Sequence, residues 1–87
     1  MRLSLRQIEA FRAVFETNSM TAAAGVIGVT QQAVSRLILD LEAETELTLF
    51  DRQNRRLVAT SEAVALYQEV RRSFYGLDRI IQAAQLI

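Results

Sequence analysis

Between Thr21 and Glu42 the chain reads TAAAGVIGVTQQAVSRLILDLE, a pattern that few folds accommodate. Gly28 breaks it into two short helical stretches, and Thr30 is well suited to cap the second. At about 100° per residue, Val34, Leu37, Ile38 and Leu41 gather on one arc of that second helix. Gln31, Gln32, Ser35 and Arg36 gather on the opposite arc. Such a helix buries its aliphatic side and turns amide, hydroxyl and guanidinium groups outward. Those groups suit base edges in the DNA major groove: amides match adenine, guanidinium matches guanine, and a hydroxyl serves either. The segment is therefore expected to be a helix-turn-helix whose second helix faces DNA. Alone, Gln31 and Gln32 would be ordinary solvated residues; the company of Thr30, Ser35 and Arg36 makes them candidate readers.

Composition narrows the chemistry. The 87 residues contain no Cys, His or Pro, which removes disulfides, zinc sites and most nucleophile–base pairs. The acids show no paired arrangement around a pocket, so no catalytic residue, metal or cofactor is expected. No apolar run approaches a membrane span, the N-terminus lacks a signal-peptide block, and a cytoplasmic location is the default expectation. A formal net charge of zero runs against the basic balance usual for DNA binding. The placement of charge offsets this. Every cation is an Arg, residues 30 to 39 hold no acid, and Arg52, Arg55 and Arg56 cluster just beyond them. Arg2, Arg6 and Arg12 are expected at the surface.

The remaining sequence supplies three more helices and a hairpin, giving an all-α winged helix-turn-helix. A first helix from about Leu5 to Thr17 has Ser4 and Gln7 as a capping box, and Asn18 suits the left-handed ending. The next helix starts near Ser19 or Thr21 and ends at Gly28; its Ala22–Ala24 run permits close helix approach, and close packing is the only account of Gly25. After the helix at 31–45, Leu47, Leu49 and Phe50 anchor a short strand, residues 51 to 56 form a turn, and Leu57 and Val58 return. This hairpin is the expected wing, with Asn54 at a position that accepts positive φ. Glu42 is expected to make structural ion pairs or hydrogen bonds.

Thr60 caps a last, long helix in which Ala63, Tyr67, Val70, Phe74, Leu77, Ile81 and Ala84 recur every 3.5 residues on average. That stripe is about 33 Å long at 1.5 Å per residue. A core this small cannot cover it, so these seven residues are expected to form a dimer interface, with packing of one side on the first helix as the competing expectation. Residues 1–60 are then the DNA-binding unit and residues 61–87 a linker helix for dimerisation.

The chain resembles the N-terminal DNA-binding domain of the LysR-type transcriptional regulators. The resemblance rests on Leu5-Arg6-Gln7 with Phe11, Ser19-Met20-Thr21 with Ala23 and Ala24, and the run from Val29 to Arg36 followed by Ile38 and Leu41-Glu42. Leu49-Phe50-Asp51-Arg52 with Arg55, and Thr60, continue it through the wing. The stretches IEAFRAV, MTAAA and RSFYGL further resemble the branch that controls opine and basic amino-acid catabolism. The resemblance implies that Thr30 and Gln31 contact backbone and bases, that Gln32, Ser35 and Arg36 face the major groove, and that Arg52 and Arg56 grip phosphate. Arg55 would enter a minor groove. It also implies an antiparallel homodimer on an inverted-repeat operator of double-stranded DNA. A small-molecule effector would act only through a second domain, about twice this length, to which nothing in these residues corresponds.

Three positions depart from the family's pattern. Gln32 stands where Pro or a small residue is common, which bears on base preference. Leu39 stands where a polar or basic residue is usual and points to the DNA side, open either to a thymine methyl or to plain exposure. Ala63 replaces a common glycine and should stiffen the start of the linker helix. A second reading, a winged-helix adaptor that dimerises without reading DNA, stays open at this point.

Overall fold

The computed structural model describes residues 1–87. In chain order it contains α1 (Leu5–Thr17), α2 (Met20–Ile27), α3 (Gln31–Thr45), β1 (Phe50–Gln53), β2 (Arg56–Ala59) and α4 (Ser61–Leu86). Each helix starts where a side-chain hydroxyl can satisfy an amide that lacks an intrahelical partner. Ser4 Oγ accepts from the Gln7 amide at 3.1 Å while Gln7 Oε1 accepts from the Ser4 amide at 2.9 Å, so the capping box is complete. Ser19, Thr30 and Thr60 accept from the Ala22, Ala33 and Ala63 amides at 3.0, 3.1 and 3.1 Å. Three helices end on a left-handed residue: Asn18, Gly28 and Glu46.

The first three helices enclose the core. Phe11 and Val14 of α1, Ala23 of α2, and Val34 and Leu41 of α3 are fully buried, with Leu49 closing the bottom. α2 and α3 turn through 102° about the Gly28–Thr30 break, within the range that defines a helix-turn-helix. The alanines divide: Ala23 and Ala24 are buried against neighbouring helices, while Ala22 is exposed. Gly25 is also exposed, and a Cβ built on it meets nothing within 4 Å, so close packing does not account for it.

The hairpin is antiparallel, pairing Phe50 with Ala59, Asp51 with Val58, Arg52 with Leu57 and Gln53 with Arg56. Its turn is shorter than the 51–56 span expected from the sequence. Only Asn54 and Arg55 lie outside the ladder, both with positive φ (50° and 65°), as a two-residue turn matched to strand twist requires. Phe50 packs its ring 5.8 Å from Phe11, which ties the wing to the core. Glu42 Oε2 accepts from the amides of Leu49 (2.7 Å) and Phe50 (3.4 Å), fixing the end of α3 to the start of β1. At the other end of the wing, the Thr60 hydroxyl donates to the Thr48 carbonyl at 2.6 Å and its amide to the Leu49 carbonyl at 2.9 Å.

α4 runs 26 residues, and its apolar stripe splits in two. Ala63 (0 % exposed) and Val70 (5 %) are enclosed by their own protomer, which corrects their assignment to a dimer interface: the 3.5-residue spacing there serves the chain's own core. Tyr67 and Phe74 are half-buried against α1. Tyr67 stacks on Phe15, and Arg12 places its guanidinium carbon 4.4 Å from the centre of the Phe74 ring. Arg12 is therefore a packing residue and not simply a surface cation. Beyond Phe74 the stripe is bare: Leu77 (48 %), Ile80 (67 %) and Ile81 (47 %) are exposed, as is Ala84. No single helix is long and apolar enough to cross a membrane.

Candidate nucleic-acid interface

The expected site residues fall into two adjoining groups. The first is a groove of about 650 Å³ between the start of α2, the start of α3 and the wing. Gln31, Arg52, Arg55 and Arg56 line it, together with Asn18, Ser19, Met20 and Thr21 from the α1–α2 junction. Its charged side chains are all arginines. These arginines are exposed and make no ion pair with any acid, so their charge is directed to solvent. The amides at the start of α3 add to that positive character. Thr30 uses its hydroxyl on the Ala33 amide and its carbonyl on the Val34 amide, and the Gln31 and Gln32 amides precede those bonds.

The second group is the outward face of α3. Gln32 and Arg36 are exposed and Ser35 is half-buried, on the side opposite Val34, Ile38 and Leu41. Arg36 Nε lies 3.4 Å from Asp40 Oδ1, an i,i+4 pair whose side chains are 78 % and 49 % exposed. Such a pair is weak, about 0–1 kcal/mol. It holds the guanidinium toward the C-terminal end of α3 without removing it from solvent.

The sequence alone did not point to Asn18, Ser19, Met20 and Thr21 as groove residues. Their types signal helix ending and helix capping, which is what Asn18 and Ser19 do. Their place in the groove follows from the 102° turn, which brings the start of α2 beside the wing. The one informative signal was their position one short helix ahead of α3.

A three-helix core with a near-perpendicular second and third helix, a two-stranded wing and an arginine-lined groove between them defines a winged helix-turn-helix. Residues 5–64 match the bacterial regulatory helix-turn-helix proteins of the lysR family, and the chain belongs to that family. It is 53 % identical to the octopine catabolism/uptake operon regulatory protein OccR of Rhizobium meliloti over 90 % of its own length and 26 % of that protein's. It is 51 % identical to the regulatory protein NocR of Agrobacterium fabrum over 91 % of its length and 26 % of that protein's. The chain thus spans about a quarter of the length of the curated relatives it matches. Among solved structures it is similar to a BenM DNA-binding domain in complex with benA site 1 DNA. That match has a TM-score of 0.86 at 30 % identity and covers 95 % of this chain and 93 % of that one. A CbnR DNA-binding domain–DNA complex gives a TM-score of 0.82 at 28 % identity over 97 % of both chains.

Proposed function

We propose that these residues are the operator-reading part of a bacterial transcriptional regulator. Gln32, Ser35 and Arg36 lie in the major groove, Thr30 and Gln31 contact backbone and bases at the start of α3, and Arg52 and Arg56 hold phosphates. Arg55, at the tip of the wing, enters the neighbouring minor groove, whose negative potential favours an inserted arginine. The observation that carries this reading is the continuity of two features: the acid-free stretch from Thr30 to Leu39, which exposes Gln31, Gln32 and Arg36, and a groove whose charged side chains are all arginines. It is supported by the DNA-bound state of the BenM and CbnR structures that the chain resembles.

Residues 1–60 act as the DNA-binding unit and residues 61–87 as a dimerising helix on an inverted repeat. Leu77, Ile81 and Ala84 are the interface residues that remain available, with Tyr67 and Phe74 at its edge. The role is regulatory, not enzymatic, and cytoplasmic; effector sensing belongs outside these residues. Mobility-shift titrations separate the reading from a DNA-independent adaptor. Arg36→Ala and Gln32→Ala should each weaken operator binding by about 1–3 kcal/mol and flatten preference at the bases they face. An equal loss on every duplex would make them phosphate contacts, and no binding by the wild type would leave the adaptor.

A further inference from the structure

On the outward face of α3 one side chain breaks the polar pattern. Leu39 is 60 % exposed, the one large apolar side chain on a face that also carries Gln32, Ser35, Arg36, Asp40 and the small Ala43. Helix geometry puts it about 20° around the axis from Gln32 and about 60° from Arg36. It lies about 4.5 Å further along the axis than Arg36, slightly more than one base step. It has no part in packing: Val34, Ile38 and Leu41 already fill the core on the opposite side.

We propose that Leu39 reads the 5-methyl group of a pyrimidine, making the helix selective for methyl-bearing bases next to the position that Arg36 reads. The inference rests on the DNA-reading role proposed above. The physical case is one of matching surfaces. In the major groove the only apolar feature on a base edge is the C5-methyl group, carried by thymine and by 5-methylcytosine. An exposed isobutyl group among amides and guanidinium cannot hydrogen-bond to a base. It gains free energy there only by covering that methyl and removing both from water. Opposite an unmethylated cytosine it would instead cover a polar amino group with no partner, which disfavours that base. Leu39 therefore selects by attraction to the methyl and by rejection of the bare polar edge.

The test uses the duplex that the chain selects from random oligonucleotides, with each thymine replaced in turn by uracil in both half-sites. Uracil differs from thymine only by the missing methyl. At one position per half-site, uracil should weaken the wild type about three- to tenfold. Leu39→Ala should bind the thymine duplex as weakly as the wild type binds the uracil duplex, and should be indifferent to the exchange. Replacing that base pair by one containing 5-methylcytosine should retain more wild-type affinity than unmodified cytosine, which tells a methyl reader from a thymine reader. Leu39→Met, which keeps an apolar chain of similar reach, should restore the uracil sensitivity. Because the side chain is exposed, helicity by circular dichroism should be unchanged in both variants. If the wild type selects a sequence yet every uracil exchange affects wild type and Leu39→Ala equally, the assignment of Leu39 is overturned while the DNA-reading role stands. If the wild type selects no sequence, that role fails and Leu39 with it.

Discussion

Tyr67 of α4 lies flat on Phe15 of α1, with ring centroids 4.0 Å apart and planes 12° from parallel. Its hydroxyl donates to Glu16 Oε2 at 2.6 Å, and the same oxygen accepts from Arg12 Nε at 3.3 Å. One aromatic ring thus ties α4 to α1 by both a stack and a hydrogen bond. The hydrogen bond from Tyr67 holds the Glu16 carboxyl below its ordinary range and pushes the Tyr67 hydroxyl above its own, with Arg12 adding to the first effect. Glu16 therefore contributes stability above pH about 4.5 that is lost as pH falls through its lowered pKa. Tyr67 contributes stability below pH about 10 that is lost as pH rises through its raised one. Tyr67→Phe keeps the stack and removes the bond. The bond is exposed, so the expected loss is small, about 0.5 kcal/mol. Urea midpoints of the two proteins should differ near neutrality and converge as pH falls through the lowered pKa of Glu16.

Glu42 is the strut between α3 and the wing. Glu42→Ala leaves the amide of fully buried Leu49 without its acceptor, a loss of about 1–3 kcal/mol. Glu42→Gln retains an acceptor oxygen and should recover part of that. Chemical denaturation measures both, and hydrogen exchange at Leu49 and Phe50 should speed up selectively in the alanine variant.

The two glycines of the helix-turn-helix should respond in opposite directions. Gly25 is an exposed helix-interior position with open space around it, so Gly25→Ala should raise stability by about 0.5–1 kcal/mol. Gly28 has φ of 72°, and Gly28→Ala should lower stability by about 1–2 kcal/mol. Thermal melts of the two variants provide the comparison.

Asp40 pairs with Arg36 and, on the proposed reading, would compete with DNA for it. Asp40→Asn frees the guanidinium and removes a carboxylate from the face proposed to meet DNA, while the exposed pair adds little to folding. Operator affinity should rise a few-fold, by fluorescence anisotropy, with the melting temperature almost unchanged. An affinity equal to or below wild type would show that Arg36 is not restrained by Asp40.

The bare end of α4 is where a second copy is expected. Leu77→Asp combined with Ile81→Asp should give monomers in sedimentation and much weaker operator binding, with little loss of monomer stability because both positions are exposed. A variant that stays dimeric would place the interface elsewhere.

The sequence revealed elements whose ends carry a chemical marker, and was silent where the backbone or a neighbour decides. Ser4, Thr30 and Thr60 announce helix starts because a hydroxyl beside unpaired amides is a local device, and Asn18 announces an end for a similar reason. Glu46 at the end of α3 and Arg55 in the wing turn adopt positive φ with side chains that give no hint of it, and the unannounced Arg55 is why the turn read as longer than it is. The stripe on α4 shows the limit of periodicity. Spacing reveals that Ala63, Val70, Leu77 and Ile81 share a face, but whether a face meets its own chain or another depends on where α1 stops. Of the candidate site, the α3 face was legible because residue type and angle coincide. The groove was legible only in its arginines, because the residues of the α1–α2 junction reach it through the turn between helices.

On the proposed reading, the outward face of α3 and the arginine-lined groove together recognise a duplex. Selection from a random double-stranded pool at low ionic strength tests it most directly. Enrichment of an inverted repeat is expected, with half-sites one or more helical turns apart and binding that weakens steeply as salt rises. A pool that remains unenriched with folded protein would contradict it.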